Sequence, residues 1–206
     1  IHNEIINRKK LSGAGTSARR KLLSAMVQNH EIENLGIEKS PPEKSIYLSL
    51  LASTGIHTQG AERWEFVPPE KAPNRFHAIW EEIDSLISKN NGTVTIDAIQ
   101  QQLSSAPFGI NLGVMPIITL SYLLSRQNEI ALSEQNHFSP FLTYKIVERL
   151  IKKPKDFSIQ RFGQVDSYTK IFTIYHDVFD LSLEPHNNAS TENDLVGSAR
   201  LFARFM

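Results

Sequence analysis

Eleven residues, Val114 to Leu124, constrain this chain more than any other stretch. They read Val-Met-Pro-Ile-Ile-Thr-Leu-Ser-Tyr-Leu-Leu, apolar on almost every side of a helical projection. A helix with that pattern is buried around most of its circumference. The run is too short to cross a bilayer, which takes roughly 20 apolar residues. Pro116 fits only in a first turn, where its missing N–H removes no helical bond. The helix is therefore expected to start near Leu112 or Gly113. After Arg126-Gln127-Asn128 the pattern changes to Glu-Ile-Ala-Leu-Ser-Glu, then Gln-Asn-His, then Phe. That sequence predicts two short strands around a polar turn. A buried helix followed by a short hairpin matches the second half of a winged helix-turn-helix.

Other elements are predicted on both sides of this centre. Ala18–Gln28 places Leu22, Leu23, Met26 and Val27 on one helical face, with Thr16 or Ser17 as the N-cap after a Gly13–Ser17 break. Ser40-Pro41-Pro42-Glu43 predicts a capping box with Ser40 as N-cap and Pro41 at N1. The helix that follows turns Ile46, Tyr47, Leu50 and Leu51 inward and ends at Gly55 in the left-handed region. Ile56–Val67, with His57, Trp64, Phe66 and Val67, predicts a short strand or hairpin. Pro68, Pro69 and Pro73, with Lys71 and Asn74, make a stiff connector. Helical spacing returns over Phe76–Ser88. Thr93–Thr95 is extended, and Thr95 caps a helix through Ile96, Ile99 and Leu103. Ser139-Pro140 predicts a start for a helix through Phe141, Ile146, Val147, Leu150 and Ile151. Phe157–Phe162 alternates like a strand. Helices are predicted over Tyr168–Phe179 and Asp194–Met206, around a polar loop at Pro185–Asn193.

The 206 residues carry no net charge, so no global field draws the chain to DNA or to anionic lipid. The absence of cysteine removes disulfides, zinc–thiolate sites and thiol catalysis, and it fits a reducing cytosol. With no signal peptide and no membrane-spanning run, the expected location is cytoplasmic. Asn91-Gly92-Thr93 is read as a turn. The chain opens on Ile1, which suggests a piece of a longer protein.

No catalytic constellation emerges. Gly13-Ala14-Gly15-Thr16 lacks the Gly-Lys-Ser/Thr ending of a phosphate loop and reads as a helix lead-in. Histidines 2, 30, 57, 77, 137, 176 and 186 have no metal-ligand spacing. Glu81, Glu82 and Asp84 read as a solvated helix face, and no Gly-x-Ser-x-Gly elbow is present. The expectation is a chain without catalytic, cofactor-binding or metal-binding residues. Two local basic patches stand against the neutral total. One is Arg8, Lys9, Lys10, Arg19, Arg20 and Lys21. The other is Lys145, Arg149, Lys152, Lys153, Lys155 and Arg161. Basic residues at this density can follow phosphates, although lysines at a helix C-terminus also simply complement its dipole.

A set of ordered segments carries a resemblance. They are Asn7–Ser12, Ala18-Arg19-Arg20, Leu35-Gly36-Ile37, Pro41–Tyr47, Ala106-Pro107-Phe108-Gly109-Ile110, Leu112-Gly113, Ala131-Leu132, and Pro154 with Phe157. Together they resemble an internal region of very large bacterial P-loop NTPase-type proteins, often associated with phage defence. In those proteins a Pro-Pro-Tyr/Phe-Gly-Leu/Ile segment precedes a buried helix and a small wing; Ala106 stands here for the first proline. The resemblance covers most of residues 5–175 and rests on structural motifs. It implies that nucleotide-binding residues lie outside this chain.

The expected fold is mainly α with small β-wings, built from winged helix-turn-helix-like subdomains with flanking helices. Residues 1–68 form an N-terminal helical subdomain that the Ile56–Val67 hairpin can make winged. Residues 69–91 are a Pro-rich connector and linking helix, 92–165 a winged-helix-like subdomain, and 166–206 C-terminal helices. The expected function is a non-catalytic scaffolding or regulatory module of a larger bacterial ATPase-type protein. Its partners would be other domains or subunits of an assembly, with no membrane and no small-molecule substrate. The alternative is a DNA-binding winged helix acting through Arg8, Lys9, Lys10, Arg19, Arg20, Lys21, Lys152, Lys153, Lys155 and Arg161.

Overall fold

The computed structural model describes residues 3–69 and 76–162. The C-terminal helices expected within 166–206 lie outside the described residues, as do Lys71, Pro73 and Asn74 of the connector. The chain is mainly helical, with two small antiparallel sheets.

Helix α1 spans Gly13–Gln28, and its N-cap is Ser12, whose hydroxyl accepts from the Gly15 N–H. The glycine-rich stretch is thus the first turn of α1 and not a break before it. Sequence spacing missed this because Gly13 and Gly15 weigh against a helix interior, while their cost is small in a capped first turn. Gly15 is also needed for space, since a Cβ there would sit 3.1 Å from the Ile5 carbonyl oxygen.

Helix α2 spans Pro42–Tyr47 and starts one residue later than the predicted capping box. Pro41 is the N-cap, with no side-chain cap hydrogen bond, so Ser40 does not cap. Glu43 is instead buried and pairs with Lys21 of α1 at 3.6 Å. The next turn, Leu48–Ala52, widens to π-helical bonds, and Gly55 at φ +69° ends it as expected. Ile46, Tyr47, Leu50 and Leu51 are all buried. The hairpin follows as β1 (His57–Gln59) and β2 (Trp64–Phe66), with His57 opposite Phe66.

Helix α3 (His77–Lys89) leads through a tight turn into β3 (Thr93–Thr95). Thr95 then caps α4 (Ile96–Ser104) by accepting from the Ala98 N–H. A loop leads to α5 (Met115–Ser125), with Pro116 in the first turn. Strand β4 (Ile130–Glu134) turns into β5 (His137–Phe138), the expected hairpin. Helix α6 spans Tyr144–Lys152. It does not start at Ser139-Pro140; its N-cap is Thr143, which accepts from the Ile146 N–H. Strand β6 (Phe157–Arg161) ends the described chain.

The second sheet runs in the order β3–β6–β4–β5. Of its two inner strands, β6 is the last strand among the described residues. Val94 and Leu132 both face Ile159 in register, so three buried aliphatic side chains form one row across the sheet. Between β4 and β6, which pair along five residues, the chain makes a detour through β5 and α6. One contiguous apolar core runs from Ile6 through α1, α2 and α5 to Ile159.

Candidate functional site

Every residue from Met115 to Leu124 is buried, Thr119 and Ser121 included. Helices α1 and α4 and strand β2 pack around α5. The loop ahead of it is equally confined. A Cβ on Gly113 would collide with the Ile6 carbonyl and lie 3.1 Å from the Arg8 carbonyl oxygen. Arg19 donates to the Leu112 and Gly113 carbonyls at 3.2 and 3.4 Å. The N-terminal segment and α1 therefore lock the entry to α5, and no face of α5 reaches solvent.

The C-terminal end of α5 carries a polar cluster that sequence reasoning missed. Tyr122 donates to Asp84 at 2.6 Å, and Arg126 donates to Asp84 at 3.1 Å and to Glu129 at 2.8 Å. Arg161 bridges Asp84 at 3.0 Å and Glu129 at 3.1 Å. Trp80 donates to the Ser125 hydroxyl at 3.0 Å. Burial, together with the hydrogen bond to Asp84, pushes the Tyr122 phenol above its ordinary range. Asp84 is thus no part of a solvated helix face. It joins α3, α5 and β6. Its i, i+3 spacing to Glu81 pointed outward, and only the packing of α5 and β6 against α3 reveals its partners.

A cleft of about 260 Å³ lies beside this cluster. Trp64, Arg63 and Glu31 line one side, and Arg126 and Glu129 line the other. Arg63 pairs with Glu31, and Arg126 with Glu129, so these four charges at the cleft are paired with one another. At the start of β1 in the hairpin, His57 is buried. Its Nδ1 accepts from the Tyr47 hydroxyl at 2.9 Å, and its Nε2 donates to the His30 carbonyl at 2.8 Å. Trp64 and Phe66 rings pack on it. Burial lowers the His57 pKa from its ordinary value, and burial raises Tyr47 to about 12, with Glu33 adding to that rise. Among the described residues no group of acidic, histidine or cysteine side chains could hold a metal ion. No described helix is long and apolar enough to cross a membrane.

The basic residues divide into two kinds. The arginines are engaged with the fold: Arg8 donates to the Glu4 carbonyl, Arg19 holds the α5 entry, and Arg161 belongs to the Asp84 cluster. Arg20 reaches from α1 to Glu148 of α6 at 2.9 Å and contacts the Tyr144 hydroxyl. Arg149 holds Glu134 with two hydrogen bonds of 2.7 Å, which pulls that carboxyl below the usual range. Lys21 is paired to Glu43. Lys9, Lys10, Lys145, Lys152, Lys153 and Lys155 are exposed. The two patches meet where α1 touches α6, and four of these exposed lysines lie on or just beyond α6.

Comparison with protein-family models, with curated proteins and with solved structures finds no match for this chain.

Proposed function

We propose that this chain is a non-catalytic scaffolding or regulatory module of a larger bacterial ATPase-type protein, and that it acts in the cytoplasm by protein–protein contact. Within it, α3 and the subdomain at 92–165 form a winged helix. The order helix, strand, helix, helix, strand, strand, with the last strand paired between the first two, supports that reading. Helix α5 then occupies the recognition-helix position, and the β4–β6 connection, enlarged by β5 and α6, stands where the wing would be. The subdomain at 1–68 covers α5 from the other side.

The observation that carries the protein-contact reading is the complete burial of α5. A helix that reads base edges keeps one face packed and offers the other, polar, to the major groove. Here the outer face is occupied by α1 and β2. Basic side chains elsewhere could hold phosphates but could not read sequence from that position. Fluorescence anisotropy with duplexes of differing sequence, at a salt near about 150 mM, tests this. The expected result is no sequence-selective submicromolar binding. Selective binding that is lost on changing Arg126→Ala would overturn the reading in favour of a DNA-binding winged helix. Calorimetry with ATP is expected to show no micromolar binding, because Gly13–Thr16 form a capped helix start and lack the lysine of a phosphate loop.

A further inference from the structure

Within the insertion between β4 and β6, helix α6 is fixed on three sides. Val147 and Leu150 enter the core, Glu148 is taken by Arg20 of α1, and Arg149 is forked onto Glu134 at the end of β4. These contacts consume the acids of the segment. Glu148 and Glu134 are both bound to arginine, and Asp156 accepts from Gln135 at 3.4 Å. The lysines are left uncompensated. Lys145, Lys152 and Lys155 are exposed, with no ion pair or hydrogen bond to any described residue, and Lys153 acts on Glu134 only through space. Lys145, Arg149 and Lys152 recur at i, i+4 and i+7, so they form one stripe about 10 Å long on a rigid helix. Lys153 and Lys155 extend it past the helix end. Phe141, three residues before the helix, is 37% exposed.

We propose that this α6 stripe is a docking surface for an acidic protein segment, an Asp/Glu-rich peptide carrying an apolar residue beside its charges. The inference rests on the protein-contact reading and names the partner chemistry. Charge complementarity selects the occupant. Lys145, Lys152 and Lys155, which no described carboxylate pairs, attract a short anionic segment, and the exposed Phe141 ring just before the helix gives it an apolar anchor. A nucleic-acid backbone fits less well. The stripe is only about 10 Å long and the chain as a whole is neutral, so nothing extends the field along a continuous track of phosphates. An extended peptide, at about 3.3 Å per residue, needs only a few residues to cover the stripe.

The test is anisotropy of the full 206-residue chain with a fluorescein-labelled Glu/Asp-rich peptide containing one leucine. The controls are a peptide with lysine in place of each acid and a single-stranded oligonucleotide of equal charge. Binding of the acidic peptide alone is expected, weakening as salt rises. The triple change Lys152→Glu, Lys153→Glu, Lys155→Glu should reduce it by about tenfold or more. Lys89→Glu, at an exposed lysine on α3, should leave it unchanged, and circular dichroism should show that both variants keep the fold. Absence of acidic-peptide binding, or binding indifferent to the triple change, overturns the proposal. So does tighter, equally lysine-dependent binding of the oligonucleotide. None of these outcomes requires sequence-selective duplex binding, so this proposal can fail while the protein-contact reading stands.

Discussion

Helices α5 and α6 are the two ends of a range. Helix α5 is apolar all round and buried from Met115 to Leu124. Helix α6 is shorter and buries only Val147 and Leu150 completely, while its other face carries Lys145, Arg149 and Lys152. The same fold thus uses one helix as a central post and the other as a displayed surface. On the winged-helix reading, α5 would be the reader and the β4–β6 connection an accessory. Helix α5 is instead closed off by α1 and β2, and the connection carries exposed lysines. A helix's place in a topology does not fix its role; what covers it does.

The largest effect that can break this contrast is a cavity. Leu120→Ala should cost about 2–5 kcal/mol, because the cover from α1 and β2 cannot collapse onto the gap. Leu150→Ala on α6 should fall at the low end of that range, since one side of α6 faces solvent and can relax. Urea titration of both variants measures this, and equal losses would mean that the two helices are packed alike.

Next in size is the cluster at the α5 C-terminus. Asp84→Ala removes the acceptor shared by Tyr122, Arg126 and Arg161. A loss of about 1–3 kcal/mol is expected from the stranded donors. Asp84→Asn should recover part of it. A substitution without effect on the thermal midpoint would show that α5 needs no polar anchor at that end.

A smaller effect concerns the cover over α5. His57 sits neutral between Tyr47 and the His30 carbonyl, and burial holds its pKa below the ordinary value. The unfolded chain, with a histidine pKa of about 6.5, therefore binds a proton that the folded chain refuses. Stability is full above that pH and falls as the pH drops through it. Hydrogen exchange should show β1 and β2 loosening before α6 does. A stability profile that is flat from about pH 8 to pH 5 would contradict this assignment.

The smallest effect is expected on the displayed face. Lys152→Gln should leave stability within about 0.5 kcal/mol of the parent, because no fold contact is lost. A larger change would mean that the α6 stripe holds the fold together and is not a free surface.

Much of the scaffold was legible in the residues alone. The apolar run at Val114–Leu124, Pro116 near its start, the hairpin after it, Thr95 as a cap and the alternation at Phe157–Phe162 all appear close to where they were expected. These are local signals: a burial pattern, a fixed proline dihedral, a side chain meeting a nearby backbone N–H. Starts set by competition between neighbouring caps were less legible. Ser12, Pro41 and Thr143 took the role from Thr16 or Ser17, from Ser40 and from Ser139. Each rival has suitable chemistry, and the choice depends on which first turn packs.

By itself the sequence determined that a buried helix lies at the centre with a short hairpin after it, and that the basic residues form two groups. The tertiary structure alone decided the rest. It inserted β6 between β3 and β4, brought Asp84 to Tyr122, Arg126 and Arg161, closed α1 over α5, and separated engaged arginines from exposed lysines. Those outcomes join residues distant along the chain, such as Arg19 with Gly113 and Arg20 with Glu148. The spacing of neighbours carries no information about such pairs, because the free energy that selects them comes from packing the whole core at once.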